Sequence, residues 1–475
     1  MTGPSARAAQ SGQAPRAASV QAVEAALAAV HRREWGRLLA AAAVVARDLD
    51  LAEECVQEAY AAALRSWADT GIPQNPAAWL STAAKRRAVD AIRRESALRA
   101  RLPLLVIPPD TGESAEEDAG EDTAEARPGT AGAHWTSKAA APQDTEILRL
   151  IFTCCHPALS LEAQVALTLR LVCGMTTPDI ARAFLVTEPT MAARITRAKK
   201  KIAGARIPFR IPAAAALPER LGAVLNVIHL LFTAGHTAPS GPGLVRADLT
   251  GQSLRLTALL RELMPDELEV RGLHALLLVT DARRATRTDR QGRLLRLEDQ
   301  DRSRWDRTML AAAENLITGC LRAGRPGRYV LQAAIASLYA DAPSYDQTDW
   351  PQLVTLYDEL ISVWPSPVAA LNRAVPLAVV AGPGAALAEV ERLERDGRLA
   401  GYRYLPAVKA DLLARLNRPA DAAAAYETAL GLTANEAERA FLAGRLAAVT
   451  GSATVARSAT GEASQTGRGS GAGPG

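Results

Sequence analysis

Aromatic side chains are scarce: Phe, Tyr and Trp make up 4% of 475 residues, whereas the hydrophobic share as a whole is 48%, most of it Ala and Leu. Strands draw on Val, Ile, Thr and aromatic residues, so this composition argues against a β-sandwich and predicts an all-α chain. Cysteine is also sparse. Cys55, Cys154, Cys155, Cys173 and Cys320 are odd in number and irregular in spacing, which excludes a disulfide framework. No apolar run of about 18 residues and no signal-peptide h-region is found, so a soluble, cytoplasmic protein with no membrane partner is expected. The net charge is only +4, so a polyanion partner could be served only by clustered charge. No phosphate-cradling Gly motif and no convergent set of acids is present. No cofactor and no catalytic residue is therefore expected.

A chain of this length suggests about three domains of roughly 100–200 residues each. Small polar residues dominate 1–19 and 451–475, which are expected to be unstructured tails. Between 103 and 143 lies a third aperiodic stretch, in which Pro108 to Arg127 carries eight acids against one Arg. It is expected to be a flexible acidic linker between a module at 20–102 and a second at 144–210. Helical periodicity resumes over 211–450.

The second module carries the clearest pattern. Ser160 can cap a helix through "LEAQVALTLRLVC", Thr177 with Pro178 can open the next, and Thr187 can open "EPTMAARITRAKKKI". In that last helix Met191, Ile195, Ala198 and Ile202 share a face that would pack inward. Thr190, Arg194, Arg197 and Lys201 run along another face. Met191 to Arg210 holds seven Lys or Arg and no acid. Two short helices, a tight turn and a longer basic helix form the helix-turn-helix pattern, whose second helix enters the major groove. Glu188, Thr190, Ala193 and Arg194 stand where base edges would be reached. Arg197, Lys199, Lys200 and Lys201 stand where phosphates would be. A basic helix end that is merely solvated would look the same in sequence.

The first module has an amphipathic helix over Asp48 to Trp67, with Ala52, Cys55, Val56, Ala59, Ala63 and Trp67 expected inward and Glu53, Glu54, Gln57, Glu58 and Arg65 outward. Asn75 and Pro76 then start a helix that carries Trp79 and a basic stripe of Arg86, Arg87, Arg93 and Arg94.

The segments "AEECVQEAYAAALRSW", "NPAAWLSTAAKRRAVDAIRR" and "LVCGMTTPDIARAFLVTEPTMAARITRAKKKI" resemble regions 2 and 4 of bacterial sigma factors of the extracytoplasmic-function class. The remainder, with "LPERLGAVLNVIHLLF" and "LEDQDRSRWDR", is similar to the subgroup that carries a long C-terminal extension related to tetratricopeptide repeats. The resemblance implies that core RNA polymerase and promoter DNA are the partners. It implies that Glu54, Gln57 and Glu58 dock on the polymerase. It also implies that Asn75, Trp79, Arg86, Arg87, Arg93 and Arg94 take up the opened minus-ten strand, and that Glu188, Thr190, Ala193, Arg194, Arg197, Lys199, Lys200 and Lys201 meet the minus-thirty-five duplex. An operator-binding regulator with a repeat-type interaction domain would need the helix-turn-helix but not the "VQEAY" helix.

Two features are given no role by that resemblance. Cys154, Cys155 and His156 could be packing residues, a thiol sensor, part of a metal site or a nucleophile with its base; adjacent thiols rarely supply two ligands of a tetrahedral metal, and sequence neighbours seldom face each other as a catalytic pair must. Burial as small apolar side chains is the expectation. In the extension, Ala374, Ala386, Ala410, Leu413, Asn417, Ala422, Tyr426 and Ala429 fit the small and aromatic positions of helical repeats. Arg296 to Arg307 places eight charges around Trp305, either as a solvated turn or as a contact surface. An extension joined by a short connection to the second module would sit at high effective concentration beside it, so an intramolecular contact with the sigma modules is expected.

Overall fold

The structure is a computed structural model that describes residues 19–105, 142–184, 186–213, 216–238, 241 and 243–466. The expected acidic linker lies outside these over 106–141, and the expected N-terminal tail over 1–18. Eighteen α-helices, and no strand beyond the isolated bridges Gly241–Asn435 and Thr288–Leu294, are present among the described residues. The chain forms two compact units, 1–227 and 228–475.

The first unit contains α1 (Val20–Ala46), α2 (Leu49–Thr70), α3 (Pro76–Leu105), α4 (Pro142–Cys154), α5 (Leu161–Leu171), α6 (Thr177–Ala183) and α7 (Glu188–Gly204). The unit boundary falls inside α8 (Leu217–His236). Local signals set the helix ends. Asp48 accepts from the Leu51 amide at 2.8 Å and Asn75 from the Ala78 amide at 3.0 Å, each satisfying a first-turn N–H that the helix cannot. α2 stops at Gly71, whose φ of 82° excludes most side chains. Ala52, Cys55, Val56, Ala59, Ala63 and Trp67 of α2 are all buried, as the period predicts, together with Leu38, Leu39 and Ala42 of α1 and Leu80, Ala84 and Ala88 of α3. Each fully buried Leu or Val side chain in such a core contributes about 1.5–3 kcal/mol.

The helix-turn-helix forms from α6 and α7. Met191, Ile195, Ala198 and Ile202 are buried. One cap differs from expectation: Thr176, one residue before Thr177, accepts from the Asp179 amide at 3.3 Å and donates to the Asp179 carboxylate at 2.6 Å. Thr187 precedes α7 but makes no backbone cap bond; its hydroxyl pairs with that of Thr190 at 2.8 Å.

The two modules of the first unit pack on each other, α4 and α5 against α1, and α7 against α2. Glycine permits the closest approach. A Cβ on Gly36 of α1 would lie 2.4 Å from the Val172 carbonyl oxygen, and one on Gly174, where φ is 66°, 3.0 Å from the Trp35 ring.

The second unit continues with α9 (Ala247–Leu263), α10 (Leu268–Ala282), α11 (Arg307–Ala323), α12 (Arg328–Asp341), α13 (Trp350–Val363), α14 (Pro367–Val380), α15 (Pro383–Asp396), α16 (Tyr404–Arg415), α17 (Pro419–Leu432) and α18 (Glu436–Thr466). Glu269 on α10 caps α12, accepting from the Tyr329 amide at 2.8 Å and the Val330 amide at 3.4 Å. α14 pairs with α15 and α16 with α17 as helical hairpins. Ala374, Ala386, Ala410, Leu413, Ala422, Tyr426 and Ala429 are buried between such helices, and Asn417 turns the second hairpin in a left-handed conformation, φ 57°. α18 runs on to Thr466, through residues expected to be an unstructured tail. Ala and Arg favour helix, and no proline interrupts the segment before Pro474.

The segment Arg296 to Arg307 keeps most of its charges in solvent, with Arg296 paired to Glu298 and Asp299, but turns its Trp inward. Two short 3-10 turns, Leu297–Asp299 and Arg302–Arg304, bury Trp305, whose indole N–H donates to the Thr286 hydroxyl at 2.9 Å. Arg302 donates to the carbonyls of Tyr339 at 2.7 Å and Ala342 at 2.8 Å while lying over the Trp305 ring.

Candidate promoter and polymerase interface

α2 presents Glu54, Gln57 and Glu58 to solvent, because the apolar face at i, i+3 and i+4 turns inward and leaves these positions outside. Glu58 is half-committed: its carboxylate accepts from Arg87 of α3 at 3.0 Å. An exposed pair of this kind is worth about 0–1 kcal/mol, so either partner can be drawn away. On α3, Arg86, Arg93 and Arg94 are exposed, a row of cations open to solvent. Asn75 sits at the helix start with its side-chain carbonyl used as the cap. Trp79 is half-buried and meets Trp67 edge-on, ring centroids 5.4 Å apart.

Beside these residues lies a cleft of about 470 Å³ lined by Asn75, Ala78, Ser81, Thr82 and Lys85 of α3 with Arg37 of α1 and Glu146 of α4. Ser81, Thr82 and Lys85 were not singled out from the sequence, though they follow Asn75 and Ala78 at helical spacing. Lys85 reaches Glu146 at 3.6 Å, and Arg37 reaches Asp144 at 3.3 Å.

On α7, Glu188, Thr190, Ala193, Arg197, Lys200 and Lys201 are exposed. Arg194 is half-buried, its guanidinium 5.8 Å from the Phe184 ring centroid, an arrangement that narrows its rotamers before any DNA arrives. Lys199 departs from the sequence reading. Its ammonium is 2.8 Å from Asp50 and also bonds to Glu53, both on α2, and its side chain is only 10% exposed. Glu53, expected outward, is buried and also pairs with Arg170 of α5 at 3.3 Å. Desolvation opposes the charge on Lys199, but hydrogen bonds to Asp50 and Glu53 and their charges outweigh it, so its pKa is raised. One acid thus anchors cations from two helices of the other module. Asp50, Glu53 and Gln57 fall in one row of α2, at steps of three and four, so the α7 anchor and the expected polymerase contact occupy adjoining turns.

Cys154 and Cys155 are fully buried. Desolvation pushes the Cys154 thiol up to about 12 and Cys155 well above its ordinary value, so neither is a thiolate nucleophile at neutral pH. His156 accepts from the Ala158 amide at 3.1 Å. The three residues build the start of the second module. Among the described residues, no group of three or more His, Cys, Asp or Glu is placed to hold a metal, and no helix is long and apolar enough to cross a membrane.

Residues 31–97 match the family described as sigma-70 region 2, and residues 149–202 match sigma-70 region 4. Residues 220–321 match a family of unknown function, DUF6596. An uncharacterized protein of Rhizobium meliloti (strain 1021) is 43% identical over 396 residues, 83% of this chain and 89% of the relative. No solved structure matches. The exposed α2 and α3 rows lie within the first match and the basic helix α7 within the second. With both regions present in order and a long helical segment behind them, the chain belongs to the sigma-70 family and is an RNA polymerase sigma factor of the extracytoplasmic-function type with a C-terminal extension.

Proposed function

We propose that Gln57 and Glu58, with Glu54, dock this sigma factor on core polymerase in the cytoplasm. In this reading the α3 row and its adjoining cleft hold the opened minus-ten strand, while α7 reads the minus-thirty-five duplex. No covalent step on DNA is required. Extruding a base costs a few kcal/mol, least where the strand is already open, and stacking on an aromatic ring such as Trp79 returns about 1–3 kcal/mol per base.

The capture of Lys199 by Asp50 and Glu53 supports a second element of the mechanism. Region 4 in the free chain is held against region 2 through Lys199, which shares α7 with the DNA-facing cations, and through Arg170 of α5. Docking at Gln57 acts on the turn of α2 next to that anchor, and polymerase binding separates the regions. The measurement is the distance between spin labels at Arg65→Cys and Thr196→Cys, both exposed positions. It should lengthen when core polymerase is added; an unchanged distance in a complex that is active on promoter DNA would sink the opening model. Transcription in vitro with purified core on a promoter library tests activity and sequence preference together.

The extension is proposed to set activity in cis. Leu217, Leu221, Val224 and Leu225 are buried and fall in the first unit, so a cut after Arg210 removes part of the first unit itself. A chain ending at Val227 keeps these residues. Its transcription should fall below that of the full chain, and equal rates would leave the second unit as an independent domain.

A further inference from the structure

The second unit holds a cleft-like cavity of about 380 Å³ that none of the sigma functions uses. That volume is within the range of about 300–1,000 Å³ found for small-molecule sites. Its walls are aromatic and apolar, with Trp305, Tyr339, Tyr357 and Trp364 among them, and no carboxylate lines it. One cation does. Arg283, just past the end of α10, is half-buried and lines the cavity, and its guanidinium has no ion pair and no hydrogen-bond acceptor among the described residues. Desolvation lowers its pKa, against an opposing contribution from Tyr339, and Arg302 nearby lowers it further. Arg302 itself is committed to the carbonyls of Tyr339 and Ala342.

A guanidinium partly withdrawn from water without an anion is costly. Other enclosed cations of this unit have partners: Glu438 lies 3.0 Å from Arg403 and Glu389 2.8 Å from Arg373, while Arg287 and Arg302 donate to backbone carbonyls. Arg283 has no such partner among the described residues. The phenols of Tyr339 and Tyr357 also line the cavity, and burial keeps both protonated, as donors. Gln332 and Asn372 add amides at the wall. One fixed positive charge, hydroxyl donors and rings on several sides fit a ligand with one negative charge on a flat apolar body. A single fork matches a carboxylate; a phosphate dianion would ask for a second cation.

We propose that this cavity binds a small aromatic carboxylate, its carboxylate on Arg283 and its ring between the aromatic walls, making the extension a metabolite-binding module of the sigma factor.

The test uses the full chain and calorimetric titration with benzoate, phenylacetate, 3-phenylpropionate and indole-3-acetate, each beside its uncharged amide. At least one acid should bind about tenfold or more tightly than its amide, the weight of one charge-assisted pair. Arg283→Met should abolish that preference, and because it removes an unpaired, half-buried charge it should leave the melting temperature of the unliganded chain unchanged or higher. A merely structural arginine would instead lower the melting temperature. Ala336→Phe places a ring in the cavity and should abolish binding of every acid; acid binding that survives it would put the anion elsewhere and overturn the assignment. Equal affinity for acid and amide, or no acid bound at about 10 mM, overturns it directly, even if Arg283→Met fails to fold.

Discussion

The two units use the same residue type in opposite ways. In the first, most of the arginines and lysines of α3 and α7 stand in exposed rows, with few acids near them, as a polyanion partner requires. In the second, Arg283, Arg287, Arg302 and Arg328 are turned inward, toward carbonyls, aromatic rings and a cavity. Arg328 lies 3.7 Å from the Trp364 ring centroid, and Arg287 donates to the His236 carbonyl and the Thr237 hydroxyl. A run of positive charge therefore says nothing about nucleic acid until its face is known.

The largest expected effect breaks the second unit while sparing the first. Trp305→Ala removes a buried ring, its hydrogen bond to Thr286 and the stacking surface of Arg302, and should destabilise the second unit by about 3–5 kcal/mol. Hydrogen exchange should show α10 and α12 losing protection while α1 to α3 keep theirs.

Acid should separate the units as well. Desolvation, with nearby arginines adding to it, holds His229 and His274 at about 4 and His236 at about 2, against an ordinary 6.5. The folded unit then binds fewer protons than the unfolded chain, so its stability is fully present above pH 6.5 and falls as pH drops toward 4. The slope should approach about 1.4 kcal/mol per pH unit for each ring. Denaturation midpoints between pH 7 and 4 measure it, and His274→Leu should reduce the slope by one ring's share.

The smallest effects sharpen the reading of the first unit. Arg194→Ala should cost about 1–3 kcal/mol on promoters with a good minus-thirty-five match, if the stacked guanidinium reaches a base pair. Lys201→Ala should weaken binding evenly across sequences and reduce the salt slope by about one. Footprinting on a promoter series at several salt concentrations separates the two patterns; a uniform loss for Arg194→Ala would make it a phosphate contact.

Much of the first unit was legible in sequence because it is written in short-range periodicity. The inward faces of α2 and α7 follow from spacing alone, and so does the exposure of Arg86, Arg93, Lys200 and Lys201. Lys199 was not legible, since its partners Asp50 and Glu53 lie about 150 residues earlier and only tertiary packing joins them. Glu53 was misread for the same reason: a carboxylate on the border of an apolar face looks outward until a cation from another helix covers it. The second unit was less legible still. Its Arg283 and Trp305 stand in charged stretches that local rules assign to solvent, and only tertiary packing brings them to the wall of one cavity.

Gly36 gives the region 2 and region 4 contact a genetic handle. Its missing side chain lets α1 lie against the Val172 carbonyl, and even one methyl group there would need space now occupied by backbone. Progressively larger residues at this single position would form an allelic series, each wedging the regions further apart without touching a DNA-facing or polymerase-facing side chain. Selection for alleles that transcribe without the normal stimulus should return codon 36, and codon 174 against Trp35, ahead of any codon in the promoter-reading rows.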